Sequence, residues 1–168
     1  TALIGKIIDI AEQKKILVLA DSQSSSQTGN IARFKSVNLI TPTEREARIS
    51  QRDNQEGLVQ LAIGLLEDAS CKNIFLKLGE EGILLYVLGN DQYETDQINA
   101  LNSNPEDTAG AGDSLLITSA LCMASGATIW ETALIGSLAA AIQVSRVGNI
   151  PITREEVQRA IKSLYFSH

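Results

Sequence analysis

Apolar residues recur along the chain with two periods. Leu3, Ile4, Ile7, Ile8 and Ala11 are spaced as one face of a helix, predicted from about Leu3 to Lys14. Ile16 to Ala20 is a continuous apolar run of the length of a buried parallel strand, and Asp21 closes it. Ser22 to Gly29 is polar and serine-rich, a loop or a low-complexity linker. Val37 to Ile40 is the next short strand. Thr41-Pro42-Thr43-Glu44 then fits a capping box with proline at the first helical position, opening a short helix through Arg48. Leu58, Leu61, Ile63 and Leu65 or Leu66 give a helix an apolar face, closed at Ser70 to Asn73. Strands follow at Ile74 to Leu78 and Gly82 to Leu88, joined through Gly79-Glu80-Glu81-Gly82, with another over Tyr93 to Ile98 and a polar turn at Asn102 to Glu106.

Beyond residue 106 the pattern is helical. Leu115 to Met123 is apolar-periodic, and Trp130, Leu134, Leu138 and Ile142 recur every four residues. The stretch from Thr132 to Val144 is nearly all small or apolar, which predicts a buried helix. Gly148-Asn149-Ile150-Pro151 breaks it, and Thr153 to Glu156 is a further capping box that opens an amphipathic helix through Leu164. Strands alternating with helices imply an α/β layered fold with a mostly parallel sheet and ligands outside the carboxyl ends of the strands.

Composition narrows the function classes. The 168 residues are enough for one domain with a real core, and 44% hydrophobic content supports a globular protein. With 14 Lys plus Arg against 20 Asp plus Glu, the net charge of −6 argues against nucleic acid or a membrane surface as partner. No apolar run approaches the ~20 residues that span a bilayer and no signal peptide is recognisable, so the expected location is cytoplasmic. Thr1 leads at once into helical spacing, which reads as a fold entered part-way. Cys71 and Cys122 lie apart in apolar surroundings, as buried reduced thiols do. The one histidine, His168, is terminal, which excludes a histidine-based triad or zinc site.

The candidate chemistry is concentrated in Asp107-Thr108-Ala109-Gly110-Ala111-Gly112-Asp113-Ser114, which runs straight into a predicted helix. Small residues leave room between ligand and backbone N–H groups, and the first N–H groups of a helix have no intrahelical partner. Phosphate oxygens suit them, helped by about half a positive charge from the helix dipole. A carboxylate beside a phosphate is repelled, so Asp113 is better explained by proton transfer than by binding. The competing reading is close helix packing with Asp113 complementing the dipole.

The octet resembles the Asp-Thr-x-Gly-Ala-Gly-Asp signature of the ribokinase-like (PfkB) family of carbohydrate kinases. That resemblance implies a three-layer α/β sandwich, with an anion hole at Ala109, Gly110, Ala111 and Gly112 and Asp113 as the base for the acceptor hydroxyl. Lys77-Leu78-Gly79-Glu80-Glu81-Gly82 resembles the strand-end segment beside the nucleotide, which makes Lys77, Gly79 and Gly82 nucleotide-binding candidates. Ser137 stands where many relatives have an Asn toward the base. Thr43-Glu44-Arg45-Glu46 falls where relatives carry Asn-x-x-Glu, so Glu46 would act on Mg2+ through water. Asp107, Ala109, Arg146 and Gly148 correspond to a monovalent cation site, K+ in this reading.

The resemblance covers essentially all of residues 1–168 as one partial domain, the C-terminal half of such a kinase. The N-terminal strands, lid and Gly-Gly segment that grip the sugar in relatives have no counterpart in it. Within the family, Leu39 to Glu46 and Asp107 to Asp113 look most like the kinase domain of ADP-heptose synthases. The expected activity is ATP-dependent phosphorylation of a sugar or sugar phosphate, a phosphorylated heptose being favoured, with little turnover by these residues alone. A homodimer through the lid is the assembly this implies. A vitamin or nucleoside kinase, or a non-catalytic nucleotide-binding or assembly module, remains open.

Overall fold

A computed structural model describes residues 2–21, 30–89 and 92–166. The serine-rich segment Ser22 to Gly29 and His168 lie outside the described residues. The chain divides into two compact units, Thr1–Gly79 with Ile83–Gln97, and Glu80–Gly82 with Ile98–His168.

The first unit is an α/β layer around a mixed, mostly parallel sheet of five strands in sequential order: β1 (Leu19–Ala20), β2 (Leu39–Ile40), β3 (Asn73–Lys77), β4 (Ile83–Leu88) and β5 (Tyr93–Ile98, whose last residue belongs to the second unit). β1 and β2 pair in parallel, as do β2 and β3, whereas β3 and β4 are antiparallel with Ile74 opposite Tyr86 and Leu76 opposite Leu84. Three helices complete it: α1 (Ala2–Gln13), α2 (Glu44–Gln51) and α3 (Leu58–Ala69). Ile31, Ile40, Leu61, Leu65, Ile74 and Leu76 form the centre of one apolar core. Phe75 and Leu85 are also fully buried. Each such side chain contributes about 1.5–3 kcal/mol by leaving water. β5 is polar and exposed apart from Ile98, as an edge strand tolerates. Tyr93 on β5 packs against Tyr86 of β4 with ring centroids 5.2 Å apart and the planes tilted by 34°.

Two boundaries differ from the periodicity. The strand expected over Ile16 to Ala20 is extended only at Leu19–Ala20, because Lys15 takes a left-handed turn (φ 56°) and the Ile16 N–H bonds back to Ala11 O at 2.8 Å. Ile16 and Leu17 are exposed in consequence. The box expected at Thr41 with Pro42 inside the helix is displaced by two residues. Thr43 is the N-cap, its hydroxyl accepting from Glu46 N–H while Glu46 accepts from Thr43 N–H at 2.7 Å. Pro42 remains extended beside β3 because its carbonyl accepts from Lys77 N–H at 2.8 Å.

The second unit is helical, with α4 (Ala111–Ala124), α5 (Ile129–Val144) and α6 (Arg154–Phe166). A reciprocal Thr128–Glu131 box starts α5, and a Thr153–Glu156 box precedes α6. α4 packs on α5 through small groups, Gly136 lying against Ser119 and Leu115. The sequence predicts a buried helix at α5, and its burial is confined to part of its surface. The buried positions are Thr132, Ala133, Gly136, Leu138, Ala139 and Gln143, and Leu134 is exposed, because close approach of two helices selects small side chains. Trp130 is half-buried in the first turn of α5.

Candidate active site

The octet folds as the start of α4. Asp107 closes the preceding turn with both carboxylate oxygens, Oδ1 accepting from Ala109 N–H at 2.9 Å and Oδ2 from Gly148 N–H at 3.0 Å. Those bonds, the Ala109 one foremost, hold the Asp107 carboxyl below its ordinary range. Gly110 is the N-cap in the left-handed region at φ 78°, and a Cβ there would lie 2.6 Å from Asn149 Oδ1. The backbone sign therefore favours glycine, and any larger residue would also push the exposed Asn149 side chain aside. No side chain caps α4, in contrast to the boxes of α2 and α5. Ala111 N–H makes a long bond of 3.4 Å to Thr108 O, and Ser114 N–H reaches Gly110 O at 2.9 Å as the helix becomes regular. Gly112 and Asp113 lie between them, at positions where a helix has spare donors.

Asp113 is exposed in this first turn and borders an open groove of about 1500 Å³ whose walls include Ile117, Leu121, Leu134, Ile150 and Leu164. A carboxylate at such a rim is reachable by a ligand hydroxyl. Ser137, on α5, has a buried Oγ without a hydrogen-bond partner among the described residues. Gly82 has φ 93°, and a Cβ there would lie 2.0 Å from Ile98 O, so the chain can pass here only as glycine.

Gln143 and Asn149 were missed in the sequence reading. The Gln143 side chain is 1% exposed, and its Nε2 donates to Gly148 O at 2.9 Å and Ala109 O at 3.3 Å. A lone amide in an otherwise small and apolar helix was the available signal. Arg146 donates from its guanidinium to Ile150 O at 2.9 Å and to Glu156 Oε1 at 2.8 Å. The structure thus brings together Asp107, Ala109, Gly110 and Gly148 around Gln143 and Asn149.

The remaining candidates lie in the first unit, apart from Gly82 and Ser137. Lys77, a nucleotide-binding candidate, is 17% exposed and paired with Asp21 Oδ2 at 2.8 Å. Gly79 turns at φ 64° with open space around it. Glu46 is 3% exposed, and one oxygen accepts from both the Thr43 N–H and hydroxyl, a structural role for that carboxylate. Among the described residues no three Asp, Glu, His or Cys side chains come together as a metal cage. Cys71 is buried and its thiol is pushed up to about 12 by that burial, while Cys122 is only half-buried, short of the full burial expected.

With this geometry in hand, comparison with known proteins is decisive. The pfkB family of carbohydrate kinases matches residues 1–155. The chain belongs to that family. It is 30% identical over 158 residues to the bifunctional protein HldE of Pseudomonas entomophila, an alignment covering 93% of this chain and 32% of that protein. A ribokinase of Arabidopsis thaliana solved with ribose and ATP superposes with a TM-score of 0.80 at 22% identity, covering 95% of this chain and 52% of the other. Phosphofructokinase-2 of Escherichia coli, solved with potassium, gives 0.78 at 19% identity over 96% of this chain and 52% of that one. The chain spans about a third of the curated relative and half of the solved ones. These superpositions establish a ribokinase fold for the two units. No helix among the described residues is long and apolar enough to cross a membrane.

Proposed function

We propose that this chain carries the base-bearing, nucleotide-binding part of an ATP-dependent kinase acting on a hydroxyl of a sugar or sugar phosphate. The observation that carries the proposal is the start of α4: a left-handed Gly110, a first turn with no side-chain cap, and an exposed Asp113 at the rim of a groove. In this reading the backbone of Ala109, Gly110, Ala111 and Gly112 faces the transferring phosphoryl group. The dipole of α4 stabilises charge there at no reorganisation cost. Asp113 accepts the acceptor hydroxyl proton as its oxygen attacks the γ-phosphorus and the bond to the ADP leaving oxygen breaks.

Gly79, Gly82, Ser137 and Lys77 are assigned to the nucleotide, with Lys77 exchanging its Asp21 partner for phosphate. No all-protein cage forms among the described residues, so in this reading Mg2+ is carried by nucleotide phosphates and water, with Glu46 reaching it through water by the oxygen that does not cap α2. When bound, Mg2+ would neutralise charge on the phosphates. A phosphorylated heptose is the favoured acceptor, on the likeness of Leu39 to Glu46 and Asp107 to Asp113 to heptose kinases. Low turnover is expected from the 168 residues alone, because holding the acceptor in line supplies several kcal/mol of barrier lowering, roughly 7 to 11 at best.

The test is Asp113→Asn in the full protein. The amide keeps the size but cannot take the proton, so turnover should fall by about 10²- to 10⁴-fold. ATP affinity should hold or rise, since a charge beside the triphosphate is gone. Steady-state kinetics at saturating acceptor, with ATP titration and a thermal melt on the same preparation, measure all three. Near-normal turnover in a folded Asp113→Asn protein sinks the assignment.

A further inference from the structure

Three groups at the residues matched to a monovalent cation site are already bonded within the protein. A cation there would draw together the carbonyls of Ala109 and Gly148 and the carboxylate of Asp107. Each of those groups already has a protein donor. Asp107 Oδ1 and Oδ2 take the N–H groups of Ala109 and Gly148, and the carbonyls of the same two residues both accept from Gln143 Nε2. Asp107 and Gln143 therefore stitch the same two residues together, one through their N–H groups and the other through their carbonyls.

The orientation of the Gln143 amide follows from the chemistry. Turned the other way, Oε1 would face two carbonyl oxygens, an arrangement of three acceptors that is repulsive unless a cation sits among them. With Nε2 inward the pocket contains only donor–acceptor pairs. The side chain is 1% exposed and leaves Oε1 without a partner among the described residues, so the inward face of the amide is the one that is satisfied. Arg146, whose backbone belongs to the matched set, has its guanidinium occupied by Ile150 O and Glu156.

We infer that the buried amide of Gln143 takes the place of a monovalent cation, so that the octet is held against the Arg146 to Asn149 turn without K+. Gln143 is a positioning residue: it touches neither nucleotide nor acceptor in this scheme and acts through the carbonyls of Ala109 and Gly148. The inference rests on the kinase reading only in taking these residues as counterparts of a cation site.

Its test uses thermal melts of the chain in KCl, NaCl and tetramethylammonium chloride at matched ionic strength, with no nucleotide present. The wild-type protein should melt at one temperature in all three. Gln143→Ala frees the Ala109 carbonyl and leaves Gly148 O with only the Ile150 N–H at 3.1 Å, so it should melt lower in tetramethylammonium chloride and recover part of the loss in KCl or NaCl. Gln143→Glu sets a carboxylate against two carbonyls and should depend on a small cation more strongly still. A simple packing role predicts lower melting for Gln143→Ala with no distinction among the salts, and that result overturns the inference. A wild-type melt raised by K+ over tetramethylammonium overturns it as well, and this arm stands even if neither variant folds. ATP titration of the wild-type protein in the same three salts keeps the two proposals apart: unmeasurable ATP binding in every salt counts against the kinase reading, while binding that requires K+ counts against Gln143.

Discussion

The two units solve burial differently. In the first, large apolar side chains such as Phe75, Leu39, Ile40 and Leu85 are fully enclosed and the sheet order follows the sequence order. In the second, most buried side chains are small or polar, Ser114, Ser119, Thr132, Ala133, Ala139 and Gln143, with Leu115 and Leu138 the larger apolar ones. Of the six buried side-chain atoms without a partner among the described residues, Thr41 Oγ1 alone belongs to the first unit, so unmet polarity gathers where the octet lies. A core of that kind gives up hydrophobic stabilisation and gains hydrogen-bonding groups that can fix a backbone conformation. One unit encloses large apolar side chains, and the other packs its helices mainly on small and polar groups.

The sharpest way to break this comparison is Phe75→Ala. It removes a fully buried ring from β3 and should cost about 3–5 kcal/mol, read as a lower denaturant midpoint. A cost under about 1 kcal/mol would mean that the first unit is not packed as described. The next test uses one motif present in both units. Thr43→Ala and Thr128→Ala each remove a cap worth about 1 kcal/mol, within a range of roughly 0.5–2. The Thr43 change should lie at the upper end, because it takes one of two donors from a Glu46 carboxylate that is 3% exposed, whereas Thr128 and Glu131 are exposed. Equal costs, measured by parallel chemical denaturation, would show that burial of the partner adds nothing.

The smallest effect is a change of shape in the acid limb. Because the folded pKa of Asp107 is depressed, its stabilisation is fully present above the unfolded value of about 3.9 and is lost as pH falls through the lower folded value. Asp107→Asn should flatten the stability profile below about pH 4 while leaving the profile above it parallel to wild type. Thermal melts across that range check it, and an unchanged acid limb would remove the carboxylate from its place in the turn.

Much of this was legible in the sequence where local rules decide. The octet marked the start of α4, since three small residues and a first-turn carboxylate describe a helix N-terminus open to an anion. Periodicity placed β3 and β4 within one residue at each end and α3 within about three. It failed where a long-range bond chose between local options. Lys77 N–H holding Pro42 O moved the α2 cap from Thr41 to Thr43, and the turn at Lys15 shortened β1. The repeat of Trp130, Leu134, Leu138 and Ile142 coincides with the buried set of α5 only at Leu138, because the contact with α4 selects small side chains. Lys77 and Gln143 found partners 56 and 34 residues away, and no local pattern encodes such pairings.

The chain contains a single tryptophan, Trp130, and it sits half-buried at the start of α5. Light absorbed at the red edge of the aromatic band is therefore emitted from the helical unit alone. The Tyr86 and Tyr93 rings, tilted by 34° with centroids 5.2 Å apart, add a coupled tyrosine contribution from the sheet unit to the near-ultraviolet circular dichroism. One unlabelled sample thus offers two optical channels, and whether they report the same unfolding midpoint reveals if the two units melt as one cooperative body or in sequence.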